Sequence, residues 1–272
     1  VPRERMLEVA EHYYEFGGRS PINDQNRALI AALEKELAAH GPQLPIYWGN
    51  RNWHPLLVDT LRQMKNDGVR RALAFVTSAY SSYSSCRQYR ENIAAAQAEV
   101  GDGAPAIDKL RVFFNHPGFI EPMVESTRAA LDKVPSERRD HAILIFSAHS
   151  IPLGMAENCR YEAQLLEASR LVAEGIRDVA GLPTEPPHRP QVSAIEKSGD
   201  LRSVSCAGSG DPRTTWQLAY QSRSGPPQQP WLEPDVGDLI EAEHKKSPIH
   251  DVVVVPIGFI SDHMEVVFDL DT

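Results

Sequence analysis

His149 stands where an apolar run, Ile143-Leu144-Ile145-Phe146, gives way to the polar string Ser147-Ala148-His149-Ser150. Its small neighbours leave the imidazole accessible, and an imidazole near neutral pH accepts protons or ligates a borderline metal. A second apolar run, Val252-Val253-Val254-Val255, continues through Pro256-Ile257-Gly258-Phe259 into Ser261-Asp262-His263-Met264-Glu265 and brings imidazole and carboxylate groups to an equivalent place. Glu265 and Asp269 lie four apart and share one face if the segment after Ser261 is helical, with Asp262 close to its N-terminus. Like charges on one face raise a carboxyl pKa or call for a bound cation or proton. The pattern therefore offers acid-base and metal-binding chemistry. The plainer uses of the same residues, a capping or packing histidine and a solvated acidic face, stay open beside it.

Two further segments carry recognition chemistry. Pro45-Ile46-Tyr47-Trp48 leads into Gly49-Asn50-Arg51-Asn52-Trp53-His54-Pro55, where the planar fork of Arg51 suits a carboxylate. Ser78-Ala79-Tyr80-Ser81-Ser82-Tyr83-Ser84-Ser85 is rich in hydroxyls. Capping a following helix accounts for about two of them, and the surplus suggests recognition of carboxylates or phosphates.

These groups need elements to position them. Short apolar runs recur at Leu44–Trp48, Ala72–Val76, Leu110–Phe114, Ala142–Phe146, Trp216–Tyr220 and Val252–Ile257. Between them lie helix-periodic stretches at Gln25–Ala39, Pro55–Asn66, Cys86–Val100, Glu121–Leu131, Arg160–Val179 and Asp235–His244. Gly41, Gly68, Gly101 and Gly181 stop four of these. Strand-helix alternation predicts an α/β fold, with parallel sheets covered by helices and ligands at the carboxyl ends of strands. The polar stretch Val134–Asp140 predicts a division into two Rossmann-like domains, residues 1–137 and 138–272. Residues 184–213 turn to Pro, Ser, Gly and charge without periodicity, which predicts an irregular insertion.

The 272 residues include 28 basic and 37 acidic side chains, a formal charge of −9, which disfavours a broad nucleic-acid or anionic-membrane surface. Three cysteines, Cys86, Cys159 and Cys206, show no CxxC spacing and point to a reducing, cytoplasmic compartment. No stretch approaches the ~20 apolar residues of a membrane span. Neither GxGxxG nor GxxxxGK[ST] occurs after a strand, and the lipase and zincin motifs are missing. The first residue is Val1 and the last, Thr272, closely follows the most chemically loaded segment, so both ends of a longer protein are expected to lie outside this sequence.

Taken together, Phe146-Ser147-Ala148-His149-Ser150-Ile151-Pro152, Tyr220-Gln221-Ser222-Arg223-Ser224-Gly225-Pro226, Pro230-Trp231-Leu232-Glu233-Pro234 and Pro256–Glu265 resemble the signature segments of ferrochelatases. Gly17-Gly18-Arg19-Ser20-Pro21-Ile22 and Arg51-Asn52-Trp53-His54-Pro55 extend the likeness over nearly the whole chain except roughly residues 184–213. The resemblance implies insertion of ferrous iron into a porphyrin, in a cleft between two Rossmann-like, chelatase-type domains. It carries the family's histidine over to His149 and its glutamate to Glu265. These two share iron ligation and pyrrole deprotonation, with the division of labour open. Asp269 matches the next acidic step outward, and Arg51, Ser20, Tyr80 and Tyr83 are candidates for holding propionates.

The context Asn158-Cys159-Arg160-Tyr161, with Arg223-Ser224-Gly225-Pro226-Pro227, looks most like the actinobacterial branch. That branch resembles coproporphyrin III ferrochelatases, and many of its members hold a 2Fe-2S cluster. One cluster ligand matches Cys159 and the others come from a C-terminal segment beyond Thr272, so a cluster is expected in a full-length parent and not in this chain. The resemblance leaves room for insertion into protoporphyrin IX and for a cobalt or nickel chelatase. It also leaves room for a porphyrin- or haem-binding paralogue without turnover. Haem-pathway handover partners are a further implication.

Overall fold

The computed structural model describes residues 3–179, 216–225, 228–261 and 263–270. The segment expected to be an insertion, together with Gly181, Cys206 and Asp262, lies outside them. Two compact units emerge: Val1–Val112 with Phe259–Thr272, and Phe113–Gly258.

In the first unit, helices α1 (Arg3–Glu15), α2 (Ile22–His40) and α3 (Leu57–Asn66) precede strand β1 (Arg71–Ala74). A π-helical turn (Tyr83–Arg87) then runs into α4 (Gln88–Val100), which is followed by β2 (Ala106–Lys109). β1 and β2 pair in parallel, Ala72 opposite Ile107. These two residues join Leu61, Met64 and Ala96 in one apolar cluster, so α3 and α4 cover that face. The side chains between them in sequence turn to the other face, as strand periodicity requires. There Arg71 pairs with Asp108 at 2.7 Å and Leu73 is 65% exposed.

In the second unit, α5 (Pro117–Leu131) and α6 (Ser136–Arg139) lead into β3 (Ile143–His149). Next come α7 (Leu153–Ala156), α8 (Tyr161–Val179), β4 (Trp216–Gln221), α9 (Val236–Lys246) and β5 (Val252–Val255). The sheet is parallel in the order β4-β3-β5, with β3 central and Ile145, Phe146, Ser147 and Ala148 buried to 1% exposure or less. α9 covers one face through Val236 and Leu239 against Ile145 and Ala219. Tyr220, the next residue of β4, points to the opposite face, where its hydroxyl donates to Glu162 of α8 at 3.1 Å. Helices therefore flank the sheet on both faces, the arrangement that a near-continuous apolar central strand demands. α9 begins with Asp235 accepting from the Gly237 amide at 2.8 Å and ends in His244, Lys245 and Lys246, which suits the helix dipole at both ends.

Two of the expected strands need correction. Leu44–Trp48 forms no strand: the Trp48 carbonyl accepts from Thr60 Oγ1 of α3 at 2.8 Å, Pro45 has no amide to donate, and Leu44 is 58% exposed. The second strand is Ala106–Lys109 and not Leu110–Phe114, because a sheet covered on one face carries polar residues that an apolar-run criterion passes over. The two compact units meet in sequence at Val112/Phe113. α5 belongs with α8, since Arg128 bonds the Gly175 carbonyl and a Cβ on Gly175 would stand 2.7 Å from Val124. The polar stretch Val134–Asp140 contains α6, whose Arg138 grips Asp251 through two contacts, 3.1 and 3.2 Å. Residues 259–272 belong to the first unit.

Candidate active site

In the second unit, β3 delivers His149 at the carboxyl end of its sheet, in register with Gln221 of β4. The neighbouring backbone is tightly held. Ser150 donates its amide to the Gln221 carbonyl at 2.8 Å and its hydroxyl to the Leu232 carbonyl at 2.8 Å. Tyr161, at the start of α8, donates to the His149 carbonyl at 3.1 Å. Beside this strand end the Gly258 amide donates to the Ser147 carbonyl at 3.0 Å. The His149 ring contacts the Ser150 carbonyl through Nδ1 at 2.5 Å. A carbonyl oxygen only accepts, so Nδ1 carries a proton, which in the neutral ring leaves the lone pair on Nε2. That is the tautomer that ligates a metal or takes a proton through Nε2.

The loop after β4 is shaped around Trp231. Ser222 sits at φ 59, and a Cβ on Gly225 would lie 2.1 Å from the indole ring of Trp231. The motif segments 220–225 and 230–234 thus form one packed wall, with an isolated bridge between Pro152 and Trp231 linking them to the segment after His149.

In the first unit, the segment after Phe259 ends in a short helix, α10 (Met264–Val267), which carries Glu265. Its helical bonding continues from Phe268 to the Met264 carbonyl and from Leu270 to the Val266 carbonyl, so Asp269 comes one turn after Glu265 as the four-residue spacing suggested. A helix this short has little stability of its own. Three contacts anchor it: Val266 is buried, Phe259 meets the His263 ring edge-on at 5.3 Å, and Phe268 stacks on His12 of α1 at 3.9 Å. Phe16, Pro21, Met264 and Val267 supply the apolar walls of a recess of about 300 Å³, and Arg19, Asp24 and His263 supply its polar groups. Ser20, beside this recess in sequence, accepts from the Ile22 amide at 3.4 Å at the start of α2.

Arg51 and the hydroxyl-rich segment are brought together. Arg51 donates to the Ser84 carbonyl at 3.1 Å, and its guanidinium lies 4.7 Å over the Tyr89 ring. Its Nε is buried without a partner. Most of the serine surplus is spent locally: Ser82 and Ser85 form a reciprocal capping box at the π-helical turn, Ser84 bonds Ser82 at 3.1 Å, and Ser85 donates to the Tyr80 carbonyl at 2.7 Å. Tyr80 is 2% exposed and serves as core. Tyr83 is exposed, and its hydroxyl donates to Glu91 at 3.0 Å, which raises its pKa above the ordinary phenol value. Sequence reasoning noted the Gly17–Ile22 motif and the imidazole of His263 but assigned no part to Arg19 or Asp24. Their approach depends on how α10 packs in the first unit, which spacing does not encode.

Among the described residues, no group of three or more His, Cys, Asp and Glu side chains is clustered to hold a metal, and no helix is long and apolar enough to cross a membrane.

The ferrochelatase family profile matches the chain over residues 1–272. The chain belongs to the ferrochelatase family. It is similar to the ferrochelatase of Rhodopirellula baltica, 53% identical over 271 residues that span 100% of this chain and 67% of the relative. It is also similar to the coproporphyrin III ferrochelatases of Streptomyces coelicolor (48% identical, 100% of this chain, 68% of the relative) and Frankia alni (49% identical, 100% and 63%). Family membership makes the chain a metal-insertion lyase of haem biosynthesis, with ferrous iron and a porphyrin as substrates.

The sequence has three cysteines, one fewer than the four thiolates that a four-cysteine 2Fe-2S cluster takes. Cys86 and Cys159 are free and fall in different units. The Cys159 thiol contacts the Ala156 carbonyl at 3.6 Å.

Proposed function

We propose that this chain inserts ferrous iron into coproporphyrin III, with His149 and Glu265 at the metallation centre. The observation that carries the site assignment is the Nδ1 contact of His149 with the Ser150 carbonyl, which in the neutral ring makes Nε2 the acceptor or ligand atom at the end of β3. The printed names of the Streptomyces and Frankia relatives support the choice of porphyrin.

Metallation strips two protons from pyrrole nitrogens while a dication sheds water. A neutral imidazole and a carboxylate together answer both needs, one as ligand and one as proton acceptor. Asp269, one turn beyond Glu265, extends an acidic path away from the centre along which protons or cations move. Arg51, with an unpartnered Nε and a fork held by Ser84 and Tyr89, is assigned to a substrate carboxylate together with Ser20. The low cysteine content supports a cytoplasmic setting, from which the metallated product passes to the next protein of the haem pathway. Cys159 is assigned as one cluster ligand in a longer chain that supplies further cysteines; iron and sulfide analysis of such a chain finding neither would overturn that assignment.

Anaerobic insertion of ferrous iron into coproporphyrin III and protoporphyrin IX, followed by porphyrin absorbance, tests the reading. Faster turnover of coproporphyrin, lost in both His149→Ala and Glu265→Gln, is the expected result. Preference for protoporphyrin would overturn the substrate. Tight porphyrin binding without turnover, unchanged by His149→Ala, would replace the enzyme with a binding protein.

A further inference from the structure

The recess of the first unit has the chemistry of a short alkyl carboxylate's receptor. Its walls are apolar, Phe16 and Pro21 on one side and Met264 and Val267 on the other. Its charge comes from Arg19, whose Nη2 contacts Asp24 Oδ2 at 2.5 Å while Asp24 Oδ1 receives Arg27 at 2.7 Å. Two guanidiniums on one carboxylate leave one unit of positive charge in excess. The Arg19 side chain is 77% exposed, and a pair in that setting contributes little to folding. Asp24 therefore orients a guanidinium that has five donors and lets it accept a second carboxylate.

The geometry points to Arg19 as the specificity-determining residue that binds a substrate propionate, with the recess walls around its methylene stem. Coproporphyrin III carries propionates where protoporphyrin IX carries vinyl groups. A vinyl group brings no acceptor to Arg19, so the discrimination follows from a charge-assisted hydrogen bond that one porphyrin makes and the other lacks. This inference rests on the substrate reading given above.

Fluorescence titration of metal-free coproporphyrin III, its tetramethyl ester and protoporphyrin IX tests it without requiring turnover. The wild-type chain is expected to bind coproporphyrin more tightly than protoporphyrin. Arg19→Gln is expected to reduce that ratio on the order of fivefold to tenfold by weakening coproporphyrin alone, with the ester bound equally by both proteins. Arg19→Lys keeps part of the preference, and Asp24→Asn, whose amide oxygen still accepts from Arg19, keeps most of it. An unchanged ratio in Arg19→Gln, in a wild-type background that prefers coproporphyrin, overturns the role of Arg19 and leaves the substrate reading standing. A wild-type chain without preference overturns the substrate reading itself. Loss of preference in Asp24→Asn equal to that of Arg19→Gln would assign the effect to the ion pair's structural role instead.

Discussion

Gly258 and Ala148 pass so close that a Cβ on Gly258 would lie 2.5 Å from the Cβ of Ala148 and 2.7 Å from its Cα. The second of those neighbours is backbone and cannot swing aside. The chain leaving β5 therefore presses on β3 one residue before His149, and only a hydrogen side chain permits it. Gly258→Ala is expected to cost about 1–3 kcal/mol by forcing the two segments apart. At this chain length that lowers the melting temperature by several degrees, and metallation at 25 °C should fall as well because His149 moves with Ala148. Calorimetry and initial rates on the same preparation check both; an unchanged melt would mean that the strands yield without strain.

The two ring nitrogens of His149 can be tested apart. An asparagine amide at position 149 reaches roughly where Nδ1 lies and can still donate to the Ser150 carbonyl, but it offers nothing at the Nε2 position. His149→Asn is expected to lose turnover on the order of 100-fold or more, like His149→Ala, with porphyrin affinity nearly retained. If the asparagine variant kept most of its rate, the orienting contact and not Nε2 would be the functional group.

Gly225→Ala tests the wall built around Trp231, since the new methyl would meet the indole at 2.1 Å and Trp231 is only 8% exposed. The ring must leave its place, so we expect a loss of about 2–3 kcal/mol and a red-shifted tryptophan emission. Urea unfolding gives the first and fluorescence the second, and native values of both would contradict the packing.

Tyr220 gives the fold an alkaline limit. Burial raises its phenol pKa well above the ordinary value, and the charge and hydrogen bond of Glu162 raise it further. Below about pH 10 both folded and unfolded chains hold the proton and stability is flat in this respect. Above that pH the unfolded chain releases the proton first, so stability falls as pH rises. Denaturant midpoints measured from pH 9 to 11 should show this decline in the wild-type chain and a shallower one in Tyr220→Phe.

Much of the second unit was legible because its central strand opens on an unbroken apolar run. Ile143–Phe146 and Val252–Val255 announce buried parallel strands, and His149 follows from where the first of them ends. The first unit was harder to read. Its sheet has an open face, so Asp108 and Lys109 disguise β2, while Leu44–Trp48 has the apolar content of a strand but spends its backbone on α3. Tyr80 and Tyr83 look equivalent in a hydroxyl-rich string, yet one is core and the other a surface partner of Glu91. The contacts around α10 were invisible for another reason: His12 and Phe268, or Arg19 and His263, lie about 250 residues apart in sequence and meet only after folding. Local periodicity cannot report such pairs.

The chain leaves its first unit after Val112 and re-enters it at Phe259. On the ribosome this imposes a schedule. The second unit is continuous and can fold as soon as Gly258 has emerged, whereas the first must wait, its α1 without Phe268 and its recess without Met264, until the segment after Phe259 arrives. The segment that carries Glu265 is thus a late closing piece of the first unit, so a nascent chain interrupted before Phe259 would hold His149 on a finished sheet and would lack α10 altogether.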